Sequence, residues 1–222
     1  VKLLMDLKNK RIILFDLDGT VTDSGPGIMN AATYVLKHFG ITETDREKLK
    51  RFVGPPLKDS FREFYGVSEG DEAVEVFREY YEDKGVFENE LYPGMKELLG
   101  ELHDAGKILV ISSSKLEAMV VKVLEYFDIL KYFDITVGST LDESRSEKSE
   151  ILEESFKLID GLVNDEMITE DDGCGVLRNT EVKHSSLKKI TLDEIKSMSV
   201  MIGDRVFDVN GAKANGVECI GV

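Results

Sequence analysis

The chain has 222 residues, of which 42% are hydrophobic, and this is enough apolar surface for the core of one domain with a modest insertion. Its 43 acidic residues outnumber 28 lysines and arginines, and the resulting net charge of −15 disfavours binding to nucleic acid. The two cysteines cannot form a disulfide framework, and no apolar run or leader pattern predicts a membrane span or a signal peptide, so we expect a cytoplasmic protein with no membrane partner.

Five short apolar runs predict β-strands. Most are uninterrupted rather than alternating, which is typical of a parallel sheet that is buried on both faces. Stretches with helical spacing, such as residues 116–127, lie between several of the runs. This alternation predicts an α/β fold with a doubly wound parallel sheet. The five runs cover residues 12–15, 108–111, 133–137, 199–202 and 217–220.

One segment interrupts the alternation of strands and helices. From about residue 25 to residue 89 the apolar residues keep a helical spacing throughout. We therefore assign residues 23–89 to an inserted, all-helical cap, and residues 1–22 and 90–222 to the α/β core. Because ligands bind beyond the carboxyl ends of the strands in such sheets, a cap that follows the first strand is expected to act as a lid.

The first chemical motif follows the first predicted strand directly. Asp16 and Asp18 are separated by one residue, so an extended chain points both side chains to the same side. Gly19 then allows a sharp turn. The alternative interpretation is an ordinary turn built on Asp and Gly.

The second motif follows the fourth predicted strand. Gly203 and Asp204 come at its end, and Asp208 lies four residues further on. If the first and fourth strands are neighbours, their terminal carboxylates converge and repel one another unless a cation lies between them. Oxygen ligands of this kind favour Mg²⁺.

Together these motifs resemble those of the haloacid dehalogenase-like hydrolase superfamily. The chain looks closest to its phosphoglycolate phosphatase-like branch, which includes proteins described as 5′-nucleotidases. The resemblance implies a Rossmann-like core with an inserted helical cap. It also implies a Mg²⁺-dependent phosphatase that acts on a small phosphorylated metabolite.

The resemblance also implies a role for each acid. Asp16 would attack phosphorus and form an aspartyl phosphate, while Asp18 would carry the proton in both steps. Mg²⁺ would be held by the Asp16 carboxylate, the backbone carbonyl of Asp18 and the Asp204 carboxylate. At the same metal site, Asp208 would orient the metal's ligands or the catalytic lysine.

Two further motifs of the family complete the predicted site. Ser113 is the expected phosphate-binding hydroxyl, with Ser112 and Ser114 as neighbouring alternatives in a run of three serines. Lys148 is the expected lysine that balances the negative charge of the transferred group, and Lys115 is the second candidate.

In the cap, Arg51, Gly54 and Lys58 are candidates for contacting the remainder of the substrate. The competing interpretation is that the two basic side chains only solubilise a helix surface.

The interval between Lys148 and Asp204 is longer than a single helical return between parallel strands requires. We place the excess within residues 160–196, where a polar run including Glu170, Asp171 and Asp172 predicts a surface excursion rather than a cation site. The chain ends at Val222 directly after the last predicted strand, whereas relatives continue. Reduced stability or a compensating partner is therefore an expectation.

Other functions share parts of this pattern. A sugar phosphomutase has the same core residues, and a noncatalytic regulatory protein can retain the fold. A dehalogenase is disfavoured, because a halide leaving group does not need the proton that Asp18 would supply. The sequence leaves the preferred metabolite and the oligomeric state open.

Overall fold

The structure is a computed structural model that describes residues 9–53, 57–142, 144–164 and 190–222, together with the backbone of residues 176–177. It divides into two compact units. Of the described residues, the first unit holds those up to Val21 and from Tyr92 onward, and the second holds those within Thr22–Leu91.

The strands, in chain order, are β1 (Ile12–Phe15), β2 (Thr22–Asp23), β3 (Glu90–Leu91), β4 (Ile108–Leu116), β5 (Ile135–Ser139), β6 (Val176–Leu177), β7 (Ser199–Gly203) and β8 (Glu218–Gly221). The helices are α1 (Gly25–His38), α2 (Arg46–Leu49), α3 (Leu57–Tyr65), α4 (Gly70–Asp83), α5 (Met95–Asp104), α6 (Glu117–Tyr126), α7 (Lys148–Val163), α8 (Leu192–Ser197) and α9 (Val206–Ala214). None of these helices has both the length and the apolar character needed to cross a membrane.

The first unit is built on a sheet whose strand order is β6-β5-β4-β1-β7-β8. Five of these strands run parallel, with β1 paired to β4 on one side and to β7 on the other. All four residues of β1 are buried, because helices cover the sheet and the strand has no polar face. The predicted α/β fold with a parallel sheet is confirmed.

The sheet also has one strand that the sequence pattern did not indicate. β6 pairs antiparallel with β5 through Ile135 and Thr136, and it forms the edge of the sheet. An antiparallel strand at the edge of an otherwise parallel sheet is common in α/β proteins.

β6 lies in the segment predicted to be a surface excursion, residues 160–196. Helix α7 continues to Val163, and α8 occupies Leu192–Ser197, so both ends of that segment are helical. The acidic stretch around Glu170 lies outside the described residues.

The second unit contains α1 to α4 and the short antiparallel pair β2-β3, which brings its two ends together. Helix α1 packs against α4, and the apolar stripe of each is buried between them. The helices α1 to α4 of this unit lie within residues 25–89, the segment whose apolar residues have a helical spacing. That this unit serves as a lid stays a prediction.

Candidate active site

The carboxyl ends of β1 and β7 place two acids side by side. Phe15 is paired with Ile202, and the backbone N–H of Asp16 donates to the carbonyl of Ile202 at 2.9 Å. Asp204 follows β7 directly. Asp16, Asp204 and Asp208 each offer a carboxylate oxygen, and the three oxygens lie within 4.8 Å of one another. The structure therefore brings together three of the four acids assigned to the metal site.

The turn after β1 depends on glycine. Gly19 has a φ of +91°, in the left-handed region that favours glycine. A Cβ at this position would also collide with the carboxylate of Asp204. The N–H groups of Thr20 and Val21 donate to the carbonyl of Leu17 at 3.3 and 2.9 Å, which closes the turn. The Asp-Gly turn and the acidic cluster are thus parts of one arrangement rather than alternatives.

Gly203 is needed for space rather than for backbone conformation. A Cβ there would collide with the side chain of Asp208. We expect Gly203→Ala to displace Asp208 and to lower kcat by about 10- to 100-fold, because catalytic groups tolerate little misplacement. Steady-state kinetics and circular dichroism test this.

The matched control for that substitution is Gly100→Ala in α5, where a Cβ meets only ordinary contacts at 3.8 Å or more. We expect this variant to keep full activity. If Gly203→Ala had the kinetics of the parent, the close packing of Gly203 against the Asp208 side chain would be contradicted.

Lys148 is the cation of the cluster. Its ammonium donates to Asp16 Oδ1 at 2.7 Å, to the carbonyl of Ser112 at 2.8 Å, and lies 2.8 Å from Asp208 Oδ1. The side chain is only 5% exposed. It is the first residue of α7, where a positive charge opposes the helix dipole. Its position is therefore explained by the carboxylates and not by helix stability.

The charges in this cluster shift the pKa values of both partners. Burial raises the pKa of Asp16, Lys148 lowers it and Asp208 raises it, with a net increase. Burial lowers the pKa of Lys148, but Asp16 and Asp208 together outweigh this effect and raise it. Three carboxylates around one ammonium leave an excess of negative charge, so the site favours a further cation.

One atom shows how a divalent ion fits here. Asp204 Oδ1 is buried and has no hydrogen-bond partner among the described residues. A buried carboxylate oxygen without a partner would suit Mg²⁺, which binds oxygen ligands, carboxylates among them. The donor set, all oxygen and mostly buried, is one that Mg²⁺ accepts.

The Asp18 side chain lies apart from this group. Its two carboxylate oxygens accept hydrogen bonds from the Lys115 ammonium at 3.0 and 2.8 Å. The two candidate lysines are therefore separated by their partners: Lys148 contacts Asp16, and Lys115 contacts Asp18. Of the two, Lys148 has the contacts expected of the lysine beside the nucleophile.

The three serines differ in what their hydroxyl groups contact. The Ser112 hydroxyl lies 2.7 Å from that of Ser155 on α7, in the buried core. The Ser113 hydroxyl accepts from the N–H of Lys115 at 3.3 Å, and Ser114 is exposed. Since Ser112 is engaged with α7, this arrangement favours Ser113 as the phosphate-binding hydroxyl, which stays a prediction.

A buried ion pair close to the site was not predicted from the sequence. Arg145 Nε donates to the carbonyl of Gly138 at 2.9 Å, and its Nη2 donates to Glu117 Oε2 at 2.8 Å. The N–H of Gly138 donates to the same Glu117 oxygen at 3.1 Å. These bonds join the end of β5 to the start of α6, and Arg145 lies three residues before Lys148. Its closeness to Lys148 in sequence was the only available signal.

The cap candidates have partners within their own unit. The guanidinium of Arg51 lies 3.7 Å from the centre of the Phe64 ring, and Lys58 forms an ion pair with Asp71. Gly54 lies outside the described residues. The substrate contacts assigned to these three residues stay predictions.

Comparison with known proteins identifies the family. A model described as haloacid dehalogenase-like hydrolase matches residues 13–172, well over half of the chain. The chain belongs to the haloacid dehalogenase-like hydrolase family. This match, together with the relatives described next, confirms the resemblance drawn from the motifs.

Relatives of this family member carry several names. A 5′-nucleotidase of Pseudomonas aeruginosa is 33% identical over 95% of this chain and 81% of its own length. A phosphoglycolate phosphatase of Aquifex aeolicus is 34% identical over 64% of this chain and 67% of its own. The tyrosine-protein kinase PtkA of Mycobacterium tuberculosis is 27% identical over 96% of this chain, but the match spans only 62% of the kinase.

Solved structures agree on the fold. A crystal structure from Clostridium difficile is 39% identical, with a TM-score of 0.75, over 96% of this chain and 85% of that one. The fold is therefore shared with this neighbour over nearly the whole chain.

Proposed function

We propose that this hydrolase is a Mg²⁺-dependent phosphatase that hydrolyses a small phosphomonoester through an aspartyl phosphate on Asp16. The observation that carries the proposal is the contact of the buried Asp16 carboxylate with Lys148, inside a cluster that also contains Asp204 and Asp208. A buried carboxylate next to an ammonium and a cation site is suited to attack an anionic phosphoryl group.

In the first step, an oxygen of Asp16 forms a bond to phosphorus while the bond from phosphorus to the ester oxygen breaks. The departing alkoxide takes a proton from the Asp18 carboxyl group. The products are the alcohol, an aspartyl phosphate on Asp16, and an ionised Asp18.

In the second step, a water oxygen bonds to phosphorus and the bond from phosphorus to Asp16 breaks. Asp18 accepts the proton that the water loses, which restores it for the next cycle. Inorganic phosphate leaves, and the Asp16 carboxylate is regenerated.

The remaining residues hold and neutralise charge. The Asp16 carboxylate, the Asp18 backbone carbonyl and the Asp204 carboxylate would hold Mg²⁺, which when bound neutralises charge on the phosphoryl group. Lys148 adds a fixed positive charge at Asp16, Asp208 orients the Lys148 ammonium, and Ser113 donates to a phosphoryl oxygen.

The substrate class rests on the relatives. The names of the Pseudomonas and Aquifex proteins support a nucleotide-like or phosphoglycolate-like phosphomonoester. Arg51, Gly54 and Lys58 in the helical unit are proposed to contact the part of the substrate that distinguishes these compounds. A small phosphorylated metabolite also agrees with the net charge of −15, which disfavours nucleic acid. A cytoplasmic location is part of the proposal, because two cysteines cannot form a disulfide framework.

A phosphate-release screen across small phosphomonoesters, with and without Mg²⁺, tests the proposal. We expect release that requires Mg²⁺ and that gives equal amounts of phosphate and alcohol. A phosphorylated isomer of a sugar phosphate would indicate a phosphomutase instead. No turnover of any compound would favour a regulatory protein, and transfer to tyrosine rather than to water would favour kinase-like chemistry.

A further inference from the structure

We propose that Lys115 is a positioning residue that sets the orientation of the Asp18 carboxylate for the second, hydrolytic step. The inference rests on the proposed function, and it concerns a lysine to which the mechanism above gives no role. Its evidence is a contact between two residues that are distant in sequence and both largely buried.

The backbone around Lys115 is irregular in a way that aims its side chain. The register between β4 and β5 shifts between Ser112 and Leu116, and such irregularities redirect side chains at the edges of sheets. The Ser113 hydroxyl accepts the N–H of Lys115 at 3.3 Å and so fixes this stretch of backbone. Lys115 therefore reaches the turn after β1 instead of extending into solvent.

The contact with Asp18 is close and shielded. The Lys115 ammonium lies within 3.0 Å of both oxygens of the carboxylate, and the Lys115 and Asp18 side chains are only 7% and 17% exposed. A lysine is seldom buried to this degree without a charged partner. With both of its oxygens facing one donor, the carboxylate group cannot rotate freely.

That orientation has a consequence for the neighbouring cluster. Asp18 is only two residues from Asp16, yet its carboxylate is outside the group formed by Asp16, Asp204 and Asp208 among the described residues. We attribute this to Lys115, which holds the carboxylate turned away from the cation site. Asp18 is thus kept available to accept a proton from water instead of becoming another metal ligand.

With a substrate whose leaving group needs no proton, the orientation of Asp18 affects hydrolysis of the aspartyl phosphate more than its formation. A nitrophenolate leaves without needing a proton, so Asp18 is not required for the first step with an aryl phosphate. The second step still requires proton removal from water, whichever substrate was used. Loss of Lys115 should therefore slow hydrolysis of the aspartyl phosphate more than its formation.

The test is Lys115→Met with 4-nitrophenyl phosphate, followed by rapid mixing and acid quenching. We expect hydrolysis of the phosphoenzyme to slow about tenfold, a modest part of the usual contribution of general base catalysis. Nitrophenol should then appear in a burst that approaches one equivalent per active site, and phosphoenzyme should accumulate. Lys115→Arg retains a cationic donor and should recover part of the rate.

Lys122→Met is the matched control, because Lys122 is an exposed lysine on α6. It should behave as the parent does. A Lys115→Met variant with parent kinetics, or with both steps slowed equally and no burst, would overturn the role of Lys115 while leaving the proposed function intact. A parent enzyme that forms no phosphoenzyme would overturn the proposed function and this inference together.

Discussion

Asp16→Asn is expected to lower kcat by at least about 10⁴-fold, the scale of loss seen when a covalent nucleophile is removed. Asn has nearly the shape of Asp, so the side chain still fills its place at the end of β1. Its amide cannot form the acyl phosphate, and it cannot bind a cation as a carboxylate does. Phosphate release from the preferred substrate at saturating Mg²⁺ measures the effect.

Two comparisons make the result specific. Asp104→Asn changes an aspartate with a highly exposed side chain at the end of α5 and should leave kcat unchanged. Far-ultraviolet circular dichroism should show the fold of Asp16→Asn intact. An Asp16→Asn variant that retains more than a few per cent of parental turnover would exclude Asp16 as the nucleophile.

Lys148→Met is expected to lower both activity and stability. The ammonium contacts Asp16 and Asp208, and its removal leaves these buried carboxylates without their counter-charge. Breaking a buried ion pair by removing one partner costs about 3 to 5 kcal/mol in free energy of unfolding. We expect the free energy of unfolding to fall by an amount at the lower end of this range, because Asp16 can take up a proton and so lose its uncompensated charge. Urea unfolding without metal measures it.

Added Mg²⁺ provides a second measurement on the same variant. A divalent ion restores positive charge to the cluster, so Mg²⁺ should raise the stability of Lys148→Met more than that of the parent. Activity should stay low, since the charge at Asp16 is not restored in the correct place. Lys157→Met, on an exposed position of the same helix, is the control. Equal stability of Lys148→Met and parent without metal would contradict the described contacts.

Much of the fold followed from local sequence pattern. The uninterrupted apolar run of β1 predicts a strand buried on both faces, and the helical spacing of residues 116–127 predicts α6. Because parallel strands end at one edge of the sheet, the positions of Asp16 and Asp204 at two strand ends predicted that they lie close together if the two strands are neighbours, and β1 is paired with β7. Predicting these elements needs only the spacing of apolar residues along the chain, and predicting the two acids at one edge needs only the strand order of a parallel sheet.

The parts that were missed depend on long-range packing. Strand β6 is only two residues long, and two residues show no periodicity. The pairs Lys115 with Asp18 and Arg145 with Glu117 join residues that are 97 and 28 positions apart. Charged side chains at such separations give no local signal, so only the folded chain identifies which lysine meets which aspartate.

In the proposed mechanism, Asp16 and Asp204 share one divalent ion, beside which Asp16 becomes phosphorylated. A crystal structure of the protein with Mg²⁺ and beryllium fluoride, a mimic of the phosphoryl group, tests it most directly. The account predicts beryllium bonded to an Asp16 oxygen and a single ion in contact with the carboxylates of both residues. Beryllium fluoride on another side chain, or an ion that contacts only one of these two carboxylates, would contradict it.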